Sequence, residues 1–158
     1  MAKVSLTRGK AIFIVDLSLV PIFILIIYSG LRIHIAGNTN DYNHDVWSYW
    51  AHFHIIVSAI SLFVGWLHIK AHWGWYKSLI NKGIGKKSKT TLSLSVLFLL
   101  LTITGIILMF FVEGGNSIIG LLHYKLGLIM IPLLIIHLVT RFHLIVKALK
   151  KKSDKRKD

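Results

Sequence analysis

Four long apolar runs, separated by short polar connections, divide the chain. They extend from about Ala11 to Ile35, Trp47 to Leu79, Leu92 to Val112 and Ile118 to Leu149. A helix rises ~1.5 Å per residue, so about 20 apolar residues cross a ~30 Å hydrocarbon core, and every run is long enough. The pattern predicts an all-α membrane protein, a four-transmembrane-helix bundle. Pro21 lies inside the first run and is expected to kink it, a break that membrane helices tolerate. Residues 37–46, GNTNDYNHDV, are polar and rich in turn formers. Residues 81–91, NKGIGKKSKTT, form a basic connection, and EGGNS at 113–117 a short acidic one. Lys70 to Lys77 is rich in Trp and Lys and is expected to emerge into the lipid headgroups. The domain is thus 11–149, preceded by residues 1–10 and followed by a basic tail, 150–158, expected to be solvated and disordered.

Charge orients these runs. The 158 residues carry a net charge of +13, which by itself would suit a nucleic-acid partner. The positive residues lie in the connections and the tail of a chain that is 54% hydrophobic, with a mean hydropathy of +0.66. That is a membrane distribution and argues against nucleic acid. Three basic residues precede the first run, five lie in 77–91 and seven in 147–157, against none in 37–46 or 113–117. With positive charge inside, both termini are cytoplasmic, and the second and fourth runs both pass from outside to inside. The first run is too long for a signal peptide, and no small-residue cleavage site follows it. An integral protein of a prokaryotic cytoplasmic membrane, in contact with lipid, is the expected setting.

The candidate chemistry is histidine. There is no cysteine, which excludes disulfides and thiolate-bound clusters and leaves imidazole as the nitrogen ligand. His54 and His68 are fourteen residues apart on the second run, and His123 and His137 repeat that spacing on the fourth. Fourteen helical steps come to roughly 40° short of four turns and about 21 Å, so each pair shares one face, with one imidazole near each side of the membrane. The topology puts His54 level with His123 outside and His68 level with His137 inside. Two helices with matched rungs can clamp two flat cofactors, the arrangement that two haem b groups need. An imidazole in hydrocarbon needs a partner, and iron on Nε2 with Nδ1–H bonded to a nearby acceptor supplies two. The plainer alternative is that each histidine only hydrogen-bonds a neighbouring helix.

Other residues suit that arrangement. Gly30 and Gly105, with Gly65, Gly120 and Gly127, would let a macrocycle approach the helices. Arg32 and Lys125 near the outer end, and Lys70 and Arg141 near the inner end, could pair with haem propionates; their alternative role is snorkelling. Asp16 is costly in a membrane unless paired, and Lys70, Arg141 and His72 are candidate partners. His52, His72 and His143 could order propionates, relay protons or sit in an interface, while His34 and His44 lie toward the outer surface. Ser29-Gly30 and Thr104-Gly105 occupy similar places in the first and third runs, and GWLHIKAHW at 65–73 resembles LIIHLVTRF at 134–142. The chain therefore reads as two repeated hairpins, related by a twofold axis along the membrane normal. Two further function classes compete with this reading: a non-redox membrane protein with a histidine proton relay, and a membrane di-iron oxygenase, which His68-x3-His72 would fit. The oxygenase class clusters its histidines on one cytoplasmic face, whereas these pairs are split between two depths.

At these residues the chain resembles four-helix b-type membrane cytochromes. The doubled H-x13-H is similar to the dihaem core of the quinol-oxidising cytochrome b family. The stretch from His54 through LHIKAHWGW into a short basic connection resembles the flavinylation-associated cytochrome domain more closely, over residues 10–148. The resemblance implies non-covalent haem b and electron transfer across the membrane to or from an extracytoplasmic, often flavin-bearing redox partner, or a quinone. It implies an electron-transfer subunit more than a self-contained enzyme. No G-x-G-x-x-G is present, unlike the nicotinamide or flavin domains of ferric-reductase-like relatives.

Overall fold

A computed structural model describes residues 8–38, 42–83, 85, 89–112 and 117–154; the side chains of residue 8 and of residues 143–154 are not included. The chain is all-α. Its helices are α1 (Arg8–Asn38), α2 (His44–Ala71), α3 (Trp73–Lys82), α4 (Lys89–Phe111) and α5 (Ile118–Asp154). The helix α1 packs on α2, and α4 packs on α5, giving two compact helical hairpins. The expectations for residues 1–7, 39–41, 84, 86–88, 113–116 and 155–158 and for the His143 side chain fall outside the described residues.

Four of the helices, Gly9–Asn38, His44–Ala71, Lys89–Phe111 and Ile118–Phe142, are long and apolar enough to cross a membrane. Their surfaces agree. Ile24 is 61% exposed, Phe63 61%, Phe110 67% and Phe142 68%, a distribution that suits contact with lipid tails and would be a liability in water. Small side chains line the packed faces instead. Ser29 of α1 and Ser61 of α2 are fully buried, and Val57 and Gly65 of α2 and Thr104 of α4 are buried. Lipid is as apolar as leucine, so helices in it associate through close backbone approach and hydrogen bonds, which small residues permit.

Local chemistry sets the helix ends. The α2 helix begins at His44, three residues before the expected start, because Asn43 caps it. The Asn43 side chain accepts from the backbone N–H groups of Asp45 at 2.9 Å and Val46 at 3.2 Å, satisfying two orphan donors. Ser117 does the same for α5, accepting from the Gly120 N–H at 2.9 Å.

Two expectations are corrected. The second run is not one helix from Trp47 to Leu79: it breaks at His72 (φ −100°, ψ 17°), and the short helix α3 follows. The apolar face ends there, and α3 half-buries Trp75, Tyr76 and Leu79 on one side while Trp73, Lys77 and Ser78 stay exposed, the pattern of a helix that lies in an interface. At the other end of α3, Gly83 takes a positive φ of 73°, which only glycine adopts without strain. The fourth run passes Leu149 and continues to Asp154, so residues 150–154 of the tail are helical. Lysine is a good helix former, and adding residues to an existing helix avoids the cost of nucleation. The helices α1 and α5 each run through their proline, Pro21 and Pro132, as single elements.

Candidate functional site

His54 stands on the buried face of α2, opposite Ser29 on α1. The Ser29 hydroxyl lies 2.8 Å from the Leu25 carbonyl and 2.8 Å from His54 Nδ1. A hydroxyl has one proton and a carbonyl can only accept, so Ser29 donates to Leu25 and His54 Nδ1–H donates to the Ser29 oxygen. The proton on Nδ1 leaves the lone pair on Nε2. Gly30 makes room for the ring: a Cβ there would sit 3.4 Å from His54 Cε1.

The second hairpin repeats this arrangement. The Thr104 hydroxyl lies 2.8 Å from the Leu100 carbonyl and 2.8 Å from His123 Nδ1. A Cβ on Gly105 would sit 3.3 Å from His123 Cε1. The dipeptides Ser29-Gly30 and Thr104-Gly105 thus act alike: the hydroxyl fixes the tautomer and the glycine admits the ring. The glycines meet the imidazoles themselves, a contact not anticipated from their positions in the chain.

Fourteen residues further along α2, at His68, the partner is a carboxylate. His68 Nδ1–H donates to Asp16 Oδ1 at 2.8 Å, and His72 Nε2–H donates to the same carboxylate at 3.1 and 3.3 Å. His68 and His72 are four residues apart, so their rings meet on one face of the chain with centroids 4.7 Å apart. Of the three candidate partners for Asp16, His72 is therefore a partner, and His68 is one that the sequence analysis missed. Lys70 instead lies 4.2 Å over the Trp66 ring. The donor atoms of Asp16, His68 and His72 all lie within 4.8 Å of one another, close enough to hold a metal ion.

The register gives this geometry a rule. Facing residues of antiparallel helices have residue numbers with a constant total. Gly30 with His54 and Asp16 with His68 both total 84. Gly105 with His123 totals 228, which places Thr91 of α4 level with His137 of α5. His137 is half-buried.

The remaining candidates are scattered. The Arg32 guanidinium lies 5.1 Å over the Trp50 ring, which also meets Tyr28 edge-on at 5.4 Å. Its Nε is buried and has no hydrogen-bond partner. Lys125 and Arg141 are exposed on α5. His52 Nδ1–H donates to the Ser48 carbonyl at 2.7 Å, and the Asn38 amide donates to the His34 carbonyl at 2.8 Å. His44, Asp45, Tyr49 and His52 border a shallow groove at the outer end of α2. Comparison with protein-family models, known proteins and solved structures found no match to this chain.

Proposed function

We propose that the protein is a b-type dihaem subunit that carries electrons across the membrane. His54 and His123 would hold an outer haem, and His68 and His137 an inner one. The observation that carries this reading is the shared geometry of His54 and His123: each is locked by a hydroxyl on Nδ1, seated on a glycine, and left with its lone pair on Nε2. That is the tautomer an axial ligand needs, and a hydrogen bond from the other ring nitrogen is the usual support for it. Hydrogen bonding to the neighbouring helix accounts for Nδ1; it does not account for the same device twice, with a second histidine fourteen residues on in each hairpin.

The residues present fit the group. The donor set is imidazole alone, with no thiolate in the chain. Arg32 has a buried Nε without a partner near the outer rung, a donor suited to a propionate. His54 and His68 lie about 21 Å apart along α2, too far to share an iron, so each needs a second imidazole from outside its own hairpin. By the topology read from the sequence, His123 and His137 would supply it. Haem supplies a one-electron Fe(II)/Fe(III) couple at each level. With an imidazole from each hairpin at each level, the histidines would serve a conduit for electrons and not a centre that binds oxygen or substrate.

The partners follow from placement. The polar outer connection with His44 and Asp45 would dock an extracytoplasmic acceptor, flavin-bearing by resemblance, through a weak and salt-sensitive contact. A quinone would serve as the membrane-soluble alternative. The test is reconstitution in liposomes with a reductant inside and an oxidant outside: transfer that depends on His68 and His123 is expected, and no transfer with both haems present would reject the conduit. A second reading rests on the Asp16, His68 and His72 donors, which could bind a single non-haem metal ion. It predicts stoichiometric metal without haem absorption.

A further inference from the structure

Two of the four proposed ligands meet a hydroxyl at Nδ1. His54 is held by the hydroxyl of Ser29 and His123 by that of Thr104. The register places Thr91 level with His137. His68 meets a carboxylate instead, Asp16, at 2.8 Å. His72 anchors that carboxylate from its other side, with Nε2 at 3.1 and 3.3 Å from its two oxygens. Asp16 therefore has a fixed position against the ring and is not a mobile charge. The two hairpins repeat the hydroxyl and the glycine at the outer rung, and at the inner one the first carries a carboxylate at the level where the second has Thr91.

This asymmetry has an electronic consequence. A carboxylate that accepts from Nδ1–H draws the proton toward itself and makes the imidazole a more basic, more electron-rich ligand. Its negative charge also acts at short range in a medium of low dielectric, where such effects are large. Both effects stabilise Fe(III) over Fe(II) on His68. We infer that Asp16 makes the His68 site the low-potential member of the pair and so gives electron flow a built-in direction, from the cytoplasmic side outward. This rests on the dihaem reading above. An electron passed outward would oxidise the haem held by His68 by one unit and reduce the haem held by His54 by one, so the exchange balances without a further reactant. Asp16 acts through His68 and is a positioning residue.

The experiment is a spectroelectrochemical titration of the purified chain, Asp16→Asn and Asp16→Thr. Asparagine keeps an acceptor without the charge, and threonine is what the second hairpin has at the equivalent level. In both variants the lower of the two midpoint potentials should rise, by about a tenfold change in the Fe(II)/Fe(III) ratio at fixed potential, about 59 mV for one electron. The upper potential should move less. His68→Ala assigns the two, because the haem it retains should be the upper one. Potentials that ignore both substitutions would overturn the proposal. So would a shift confined to the haem that His68→Ala retains, or loss of the haem in both variants, which would make Asp16 a scaffold only. A wild-type chain that takes up no haem would reject the dihaem reading itself, and two haems with potentials indifferent to Asp16 would reject this inference alone.

Discussion

Replacing Thr104 by valine removes one oxygen and keeps the shape of the side chain. In the protein that oxygen accepts the His123 Nδ1–H at 2.8 Å and donates to Leu100. The Leu100 carbonyl belongs to the continuous helix α4, so it retains its intrahelical partner. His123 Nδ1–H does not: at this depth there is no water to replace the hydroxyl, and an unpaired buried donor costs about 1–3 kcal/mol. At 1.4 kcal/mol per factor of ten, haem should bind the outer site roughly 5- to 150-fold more weakly. The assay is haem titration of apoprotein in detergent, read at the Soret band, with ligand geometry followed by low-spin ferric EPR. A double-mutant cycle with His123→Ala, read as the stability of the apoprotein to denaturant, isolates the pair, because Thr104→Val should cost only a few tenths of a kcal/mol once His123 is gone. Unchanged affinity and an unchanged EPR spectrum in Thr104→Val would refute the claim that the hydroxyl fixes the ligand. A cost that persists undiminished in the His123→Ala background would do the same.

The glycines give a second test. Gly105→Ala puts a Cβ 3.3 Å from His123 Cε1, whereas Gly127→Ala on α5 meets nothing within 4 Å; EPR of the ferric protein should change for the first and not for the second. His68→Ala should leave a chain with one haem, and retention of two by haemochrome assay would sink the pairing. A reporter fused at Asp158 should show a cytoplasmic C-terminus, because the basic residues flank that side; activity only outside would invert the inner and outer labels. Asn43→Ala should cost about 1 kcal/mol by uncapping α2, visible as faster hydrogen exchange at Asp45 and Val46, with haem content unchanged.

The four spans were legible because a membrane enforces long apolar runs, and lipid-facing side chains need no partner to be recognised. The break at His72 was not, since LHIKAHWGW has no proline and its only glycine, Gly74, lies beyond the break. The cause is a change in which face is apolar, which periodicity blurs over so short a stretch. Ser29-Gly30 and Thr104-Gly105 were visible as a repeat, but their meaning was not, because a hydroxyl in a membrane helix ordinarily bonds back to its own carbonyls. It does so here too, and serves His54 or His123 with the same oxygen. The pairing of Asp16 with His68 could have been read from the chain. Once Gly30 is set against His54, antiparallel counting carries fourteen residues down α2 and fourteen back along α1, to Asp16. Without that one anchoring contact, depth alone left Lys70, Arg141 and His72 equally near.

The most direct test of the account is the haem content of the purified chain. Its visible spectrum and pyridine haemochrome should show two b-type haems per chain, reduced by dithionite, low-spin and indifferent to carbon monoxide. A chain with no haem absorption would contradict the account, and one stoichiometric non-haem metal ion in its place, lost on Asp16→Ala, would establish the second reading instead.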